Sequence, residues 1–454
     1  MRITLDGEAI EAREGDSVAA ALLRTRITTF TRSIKYHRPR GPFCLAGSCG
    51  QCLLRVDGVP SLQACRVPAA EGMSCQRQNA PLGMETDALR AVDFLFGEGL
   101  DHHHLLTFSR TLGRVALEVA RRLAGLGELP DAPLAPVPAR MREAGVAIVG
   151  GGPAGLSAAR GAVAAGARPL VLEKEREPGG AALLGIDPAG PDASWAGNEA
   201  RSLASSGAEV LCGAEVVGLY SPGPGEGDGR ALLAVRSAEG LTAVRADRVV
   251  IACGGVSQPL PFAGVDRPGV YAARGLVALA QRHGVLVGPP GGKLAPSLAL
   301  GGEGRELLLC ARALARAGYE LAAVVDAAGA PSFSAPDLPL VRGRPLRARG
   351  NPVRELELER AKEGPRRRIR CDAVAIALPP APLHELASGA GAQARYDERA
   401  GGFPVSAGVD GRTAVPWLFV AGRVAGRAGI DAVPSGAAAG RAAAADLARE
   451  PAHG

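Results

Sequence analysis

Cys44, Cys49, Cys52 and Cys65 lie within the stretch Lys35–Cys65, spaced Cys-x4-Cys-x2-Cys-x12-Cys. The first three share a loop with Gly47 and Gly50, residue types that let a backbone bend sharply around a compact inorganic core. Four thiolates in such a loop suit a [2Fe–2S] cluster, whose irons need four sulfur ligands from the protein. The fourth would follow a strand, Leu53–Val56, and a turn at Asp57-Gly58. A zinc site and four unrelated thiols are the other readings. Zinc is disfavoured because such sites usually pair Cys-x2-Cys units and this stretch has one. A cluster at these cysteines would make the chain a carrier of single electrons.

A second constellation begins at residue 145. A short apolar strand (145–149) runs into Gly150-Gly151-Gly152-Pro153-Ala154-Gly155, then an Ala-rich helix to about Ala165, then a strand from Leu170 ending at Glu173-Lys174. Strand, GxGxxG, helix, strand and acid form the dinucleotide-binding pattern. Gly150 permits the tight turn, Gly152 lets a pyrophosphate approach, and Gly155 allows helix and strand to touch. The helix N-terminus faces phosphate, and Glu173 faces ribose hydroxyls. Gly179-Gly180 follows, where a chain could pass beneath a flavin or simply loop. RVVIACGG (248–255) predicts a buried strand ending near Gly254.

A weaker copy of the pattern lies further on. Strand Leu298–Leu300 leads to Gly301-Gly302-Glu303-Gly304, a helix over 307–317, and a strand over 321–325 ending at Asp326. Gly302 and Gly304 match the first two fingerprint glycines, Leu307 replaces the third, and Asp326 takes the ribose position, which favours NAD over NADP. Both NAD(P) binding and a degenerate domain kept for architecture fit these residues. Near the end, PWLFVAG (416–422) runs into Arg423 and a small-residue helix over 432–447.

These sites need elements to hold them. Residues 2–13 alternate apolar and polar, and a helix over 16–25 with Asp16 or Ser17 as N-cap follows. Strand, strand, helix, cluster loop, strand and fourth Cys is the layout of an α+β ferredoxin-like β-grasp domain, expected over 1–75. The body reads as α/β, with two dinucleotide-binding Rossmann units. The expected domains are a helical linker region over 76–144, an FAD- or dinucleotide-binding part over 145–275, an inserted NAD-type Rossmann domain over 276–372, and the returning part over 373–454. Within the linker, Leu112, Val115, Ala116, Val119 and Leu123 mark one helix face, and 129–140 is Pro-rich. His102–His104 are consecutive and read as a polar turn.

The chain has 454 residues, enough for about three domains. Net charge is +6, but nearly all the positive charge is arginine, and it is spread out. The densest run, Arg366–Arg368 with Arg370, lacks interleaved aromatics and reads as a solvated face, not a nucleic-acid footprint. No apolar run reaches the ~18–20 residues of a membrane span. The N-terminus reads as strand and turn, not a leader, so a cytoplasmic protein is expected, with its cysteines as ligands or buried thiols.

Beyond the residues themselves, the chain resembles a known family. Lys35–Gly41 (KYHRPRG), the four cysteines in their plant-type ferredoxin spacing, Gly150–Gly155, Glu173, RVVIACGG, PLPFAGVDRPGVY and VAGRVAG are similar to the alpha or A subunits of heteromeric amine and amino-acid oxidases. These include sarcosine oxidase, opine oxidases, proline and hydroxyproline dehydrogenases and hydrogen cyanide synthase. The resemblance implies a flavin- and iron–sulfur-containing subunit that relays electrons. An amino-acid-oxidase-like partner subunit would hold its own FAD and the amine or amino-acid substrate, with FMN at the subunit interface in some members. It implies FAD in the first site, with Gly422 and Arg423 near its phosphates or ribityl chain. Reductases of this build commonly carry Gly-Asp there. An arginine would sooner meet phosphate, so NAD or ATP in the same cleft remains an alternative. With no Cys-x2-Cys beside the flavin region, disulfide-reductase chemistry is not expected.

Overall fold

In a computed structural model of the chain, the described residues are 1–33, 38–79, 111, 113–114, 137–222, 229–288, 295–329, 332–359 and 367–448. The expected helix over 112–123, the His102–His104 turn and most of the linker lie outside them. The chain divides into two compact units, each built from two segments: Met1–Leu134 with Pro259–Leu378, and Ala135–Gln258 with Pro379–Gly454.

The first unit begins with a five-stranded sheet ordered Glu8–Glu11, Arg2–Leu5, Ser74–Gln76, Leu53–Val56, Val59–Gln63. Arg2–Leu5 and Ser74–Gln76 run parallel, and the other neighbours are antiparallel. The helix Val18–Arg24 packs on this sheet, buried along most of its length, with the Ser17 hydroxyl accepting from Ala20 N at its N-terminus. This is the β-grasp arrangement expected from the sequence. It extends slightly past Cys75, since Thr31 Oγ1 still donates to the carbonyl of Gln78.

The same unit contains a parallel sheet ordered Val270–Ala272, Ala373–Ala377, Ser297–Gly302, Glu320–Asp326, Leu340–Val341. The helices Ala273–His283 and Gly304–Arg316 belong to this second dinucleotide fold. A three-stranded antiparallel sheet, Pro345–Gly350, Val353–Leu358 and Arg368–Arg370, accompanies it. The boundaries therefore differ from 275/276 and 372/373. Val270–Ala272 and Ala373–Ala377 pair with each other inside this sheet rather than in the first dinucleotide fold. A fully apolar run such as AVAIA suits any buried parallel strand, so its composition does not say which of two parallel sheets will take it.

The second unit is a seven-stranded sheet. Glu209–Cys212, Leu170–Glu173, Ala139–Val149, Gly240–Ile251 and Leu418–Val420 are parallel, and Ala231–Ser237 and Glu215–Tyr220 continue as an antiparallel extension. The strand Ala139–Val149 starts earlier than residue 145 and takes over the end of the expected linker. Its first half is an exposed ribbon that pairs residue for residue with Leu241–Ala246, while its second half is buried. Only the buried half carries an apolar signal.

The helices Pro153–Ala164 and Ala432–Leu447 lie side by side through small residues. A Cβ on Gly436 would stand 2.0 Å from Ala154 O, and one on Gly440 1.8 Å from Ala158 O. Gly440→Ala must therefore push the two backbones apart, an overpacking cost of about 1–3 kcal/mol that a denaturant melt of the chain would register.

Candidate cofactor sites

The cluster loop is shaped by left-handed residues. Leu45, Gly47 and Gly50 have φ of 53, 73 and 61°, and a Cβ on Gly47 would meet the Arg66 side chain at 2.6 Å. This winding brings the four cysteines together. Cys44 and Cys52 are buried, and Cys49 and Cys65 are half-buried. The neighbouring Cys49 and Cys65 thiols hold Cys44 well below the ordinary thiol range against the cost of burial, helped by the N–H groups of Ala46 and Ser48, which donate to its sulfur (3.4 and 3.2 Å). Cys49 and Cys65 are pushed up, first by donating to Cys44, and Cys52 is lowered by the Cys65 thiol. The sulfurs thus meet as Cys44 with Cys49 and Cys52 with Cys65, linked through Cys44 and Cys65. Among the described residues no three His, Cys, Asp or Glu side chains surround a point fit for one ion. Four soft sulfurs gathered in one loop, with N–H groups aimed at Cys44, fit a [2Fe–2S] cluster held by four thiolates. Elsewhere burial pushes the Cys253 thiol up to about 12 and likewise raises Cys75 and Cys371.

In the second unit the expected glycines are brought together, but for different reasons. Gly150 has φ 104°, and a Cβ there would meet Ala252 O at 2.6 Å. One on Gly155 would stand 1.7 Å from Gly150 O. Gly152 is different: the nearest atom to its Cβ would be Gly180 Cα at 3.9 Å. Its own chain leaves room for a side chain, so glycine at this position is explained by a group lying in the cradle. That is the fit expected of a pyrophosphate at the N-terminus of Pro153–Ala164, where Pro153 opens the helix and Gly152 is its N-cap.

Glu173, 5% exposed, accepts from Gly151 N (2.6 Å) and Glu175 N (2.8 Å). Gly179 N donates to Gly151 O (2.7 Å), and a Cβ on Gly180 would lie 3.0 Å from Gly152 Cα, so this turn is tucked under the glycine loop. Gly422 (φ 65°) closes the far side, with a Cβ there 2.6 Å from Ala154 Cβ and its N–H held by Ser435 Oγ (3.1 Å). Ser435 escaped the sequence reading. Its only signal is a lone hydroxyl near the start of an alanine-rich helix. The parallel helices Pro153–Ala164 and Ala432–Leu447 start at this same end, so two positive dipole ends bound the cradle.

Three expected residues stand apart. Lys174 follows the acid, and its charge favours ionised Glu173. Gly254 has φ 77°, and its carbonyl accepts from Leu383 N. Arg423 donates Nη1 to Pro380 O (3.1 Å), and its stem lies where a Cβ on Gly255 would be.

Burial raises the Glu173 carboxyl, partly opposed by the Glu175 and Gly151 N–H groups. A raised carboxylate costs stability once ionised. The apo-chain is therefore expected to lose stability as pH climbs from about 4.3, the unfolded value, through the higher folded value. Glu173→Gln should flatten that slope in a pH series of urea melts.

In the weaker copy, a Cβ on Gly302 would meet Ala377 O at 2.1 Å, so strand packing alone demands that glycine. Gly304 has φ 51° and opens the helix, and Leu307 is fully buried. Asp326 is buried and accepts from Ala328 N, Ser332 N and Ser332 Oγ (2.6 Å). Burial acts to raise it, but the Ser332 hydroxyl and the backbone donors hold it below the ordinary carboxylate range.

A family described as "2Fe-2S iron-sulfur cluster binding domain" matches residues 1–80, and one described as "Pyridine nucleotide-disulphide oxidoreductase" matches residues 144–286. The alpha subunit of sarcosine oxidase from Rhizobium meliloti (strain 1021) is 30% identical over 311 residues, 63% of this chain and 31% of that one. The A-type subunit of opine oxidase from Agrobacterium tumefaciens (strain Ach5) is 28% identical over 334 residues, 66% of this chain and 65% of that one. The chain is a homologue of the alpha and A subunits of these oxidases. It spans under a third of the sarcosine oxidase chain it matches. Among solved structures, L-proline dehydrogenase from P. horikoshii superimposes over 98% of this chain and 72% of its own, with TM-score 0.68 and 19% identity, a likeness of fold. The matched families accordingly give the chain a [2Fe–2S] cluster and FAD as cofactors. No helix among the described residues is long and apolar enough to cross a membrane.

Proposed function

We propose that this chain is the electron-transferring flavin and iron–sulfur subunit of a heteromeric oxidoreductase that oxidises a carbon–nitrogen bond of an amino acid or secondary amine. The observation that carries the reading is the pairing of a four-thiol loop and a dinucleotide cradle on one polypeptide whose relatives are named as oxidase subunits. A bound flavin accepts electron pairs and releases them singly, the form in which a [2Fe–2S] cluster takes them. In this reading Gly150, Gly152, Gly155 and Glu173 hold the adenine and phosphate half of the dinucleotide. The starts of Pro153–Ala164 and Ala432–Leu447 favour negative charge in the cradle, and the cysteines hold iron. Substrate and its acid–base groups belong to a partner, an amino-acid-oxidase-like chain, in a reducing cytoplasm.

Co-expression with a neighbouring amino-acid-oxidase-like chain tests the proposal. A stable complex whose flavin is bleached by proline, hydroxyproline, sarcosine or an opine supports it, and a chain that binds no such partner refutes it. A self-contained NAD(P)H-dependent reductase is the rival, and the buried Leu307 in place of the third fingerprint glycine counts against it. Rapid bleaching of the isolated holo-chain by NADH would reverse that preference. A third reading, a non-catalytic nucleotide-binding subunit, draws on Arg423 standing where an aspartate was expected. It requires bound ATP or NAD and no yellow chromophore on extraction.

A further inference from the structure

The described end of KYHRPRG, Arg38–Gly41, and part of PLPFAGVDRPGVY meet within the first unit. The chain from residue 38 to 45 lies along residues 266 to 275 in the same order. Arg38 and Arg40 both reach the Asp266 carboxylate, at 3.7 and 3.5 Å. A Cβ on Gly41 would lie 3.4 Å from Pro268 Cα. Ala272 N donates to Phe43 O at 2.9 Å, and a Cβ on Gly275 would stand 2.5 Å from Cys44 O and 3.3 Å from Leu45 Cβ. Phe43, Cys44 and Cys49 share one apolar core with Val270, Ala272, Val374 and Ile376. The exposed arginine pairs contribute little by themselves. The backbone hydrogen bond at Ala272 and the close approach at Gly275, which leaves no room for a Cβ, fix the loop against the helix start.

The far end of the helix Ala273–His283 is gripped by the same module. Arg24 Nη2 donates to His283 O (2.9 Å) while also pairing with Asp16, and Arg26 Nη1 donates to Leu286 O (2.7 Å). His283 Nδ1 lies 3.2 Å from Asp16. The helix therefore has arginines at its negative end and the cysteine loop at its positive end. Its first turn contains no acidic residue, and Ala272 supplies no side-chain cap. A cluster bound by four thiolates is anionic and becomes more so on reduction, so its charge complements that end of the helix.

We infer that the helix Ala273–His283 is the seat of the iron–sulfur module, and that Gly275 is a positioning residue setting how closely the helix's positive end approaches the cluster. The second dinucleotide fold then carries the cluster whether or not it binds a nucleotide. Arg38–Phe43 is the strap that lays the cluster loop on its seat. Because these contacts lie within one chain, the inference does not depend on any partner.

The test is an EPR-monitored redox titration of the holo-chain and its Gly275→Ala variant, with iron and visible absorption measured alongside. The expected result is a full cluster whose midpoint moves to more negative values, because the reduced cluster loses part of the helix field. A full cluster with an unchanged midpoint overturns the inference. Amide exchange of the unmodified holo-chain is an independent measurement, needed if Gly275→Ala is recovered without iron. The Ala272 amide should be as protected as the strand amides of Ala373–Ala377, and exchange at the rate of an open turn would overturn the seat. Arg24→Gln, at the opposite end, should speed exchange in Val18–Arg24 with little change in midpoint.

Discussion

If the proposed relay holds, Cys49→Ser is expected to abolish turnover with the physiological acceptor while leaving the flavin of the proposed partner reducible by substrate. Cys49 lies at the half-buried face of the loop and pairs with the buried Cys44. A serine oxygen there is a harder, more weakly bound ligand than a thiolate, so iron at that position is lost or its potential falls. Either result interrupts the single-electron path and spares the chemistry upstream of it. Stopped-flow reduction of the assembled complex by substrate should keep its rate, and steady-state turnover should fall by at least about 100-fold, a barrier of roughly 2.7 kcal/mol. Unchanged turnover would show that electrons leave by another route.

Gly152→Ala is expected to empty the dinucleotide cradle without unfolding the chain. Gly152 has φ −78°, which any residue adopts, and its added Cβ would have no protein neighbour closer than 3.9 Å. The melting curve of the apo-chain should therefore be nearly unchanged. The methyl group would stand where phosphate oxygens approach the N–H groups of the helix start, and the weakening should exceed tenfold, or about 1.4 kcal/mol. Gly155→Ala is the control with the opposite signature, because its Cβ would collide with Gly150 O at 1.7 Å and strike the fold itself. If Gly152→Ala purified with a full complement of flavin, the cradle would be misassigned.

These two positions show what was legible in the sequence and what was not. The β-grasp layout and the strand–glycine loop–helix–strand unit were legible because their turns, caps and apolar runs are short in sequence. The strand Ala373–Ala377 was assigned to the wrong fold because its burial is identical in either sheet. The first half of Ala139–Val149 was missed because an exposed ribbon carries no apolar period. Arg423 pointed toward phosphate by charge alone, whereas its contact with Pro380 O depends on a ribbon formed by distant residues. Gly302 matched the fingerprint, but its close approach to Ala377 is a packing requirement that sequence cannot separate from a binding one.

The interleaving of the two units has a consequence for biosynthesis. Every segment of the first unit has been made once residue 378 has been added, so the cluster loop and its helix can be assembled at that stage. The second unit starts earlier in the chain than the second half of the first, yet it must wait. Its strand Leu418–Val420 and the helix Ala432–Leu447, with Gly422 and Ser435 between them and the glycine loop, are still unmade. Iron–sulfur delivery to a nascent chain would thus precede flavin capture, and a pulse-labelled chain arrested shortly after residue 378 should already take up iron while binding no flavin.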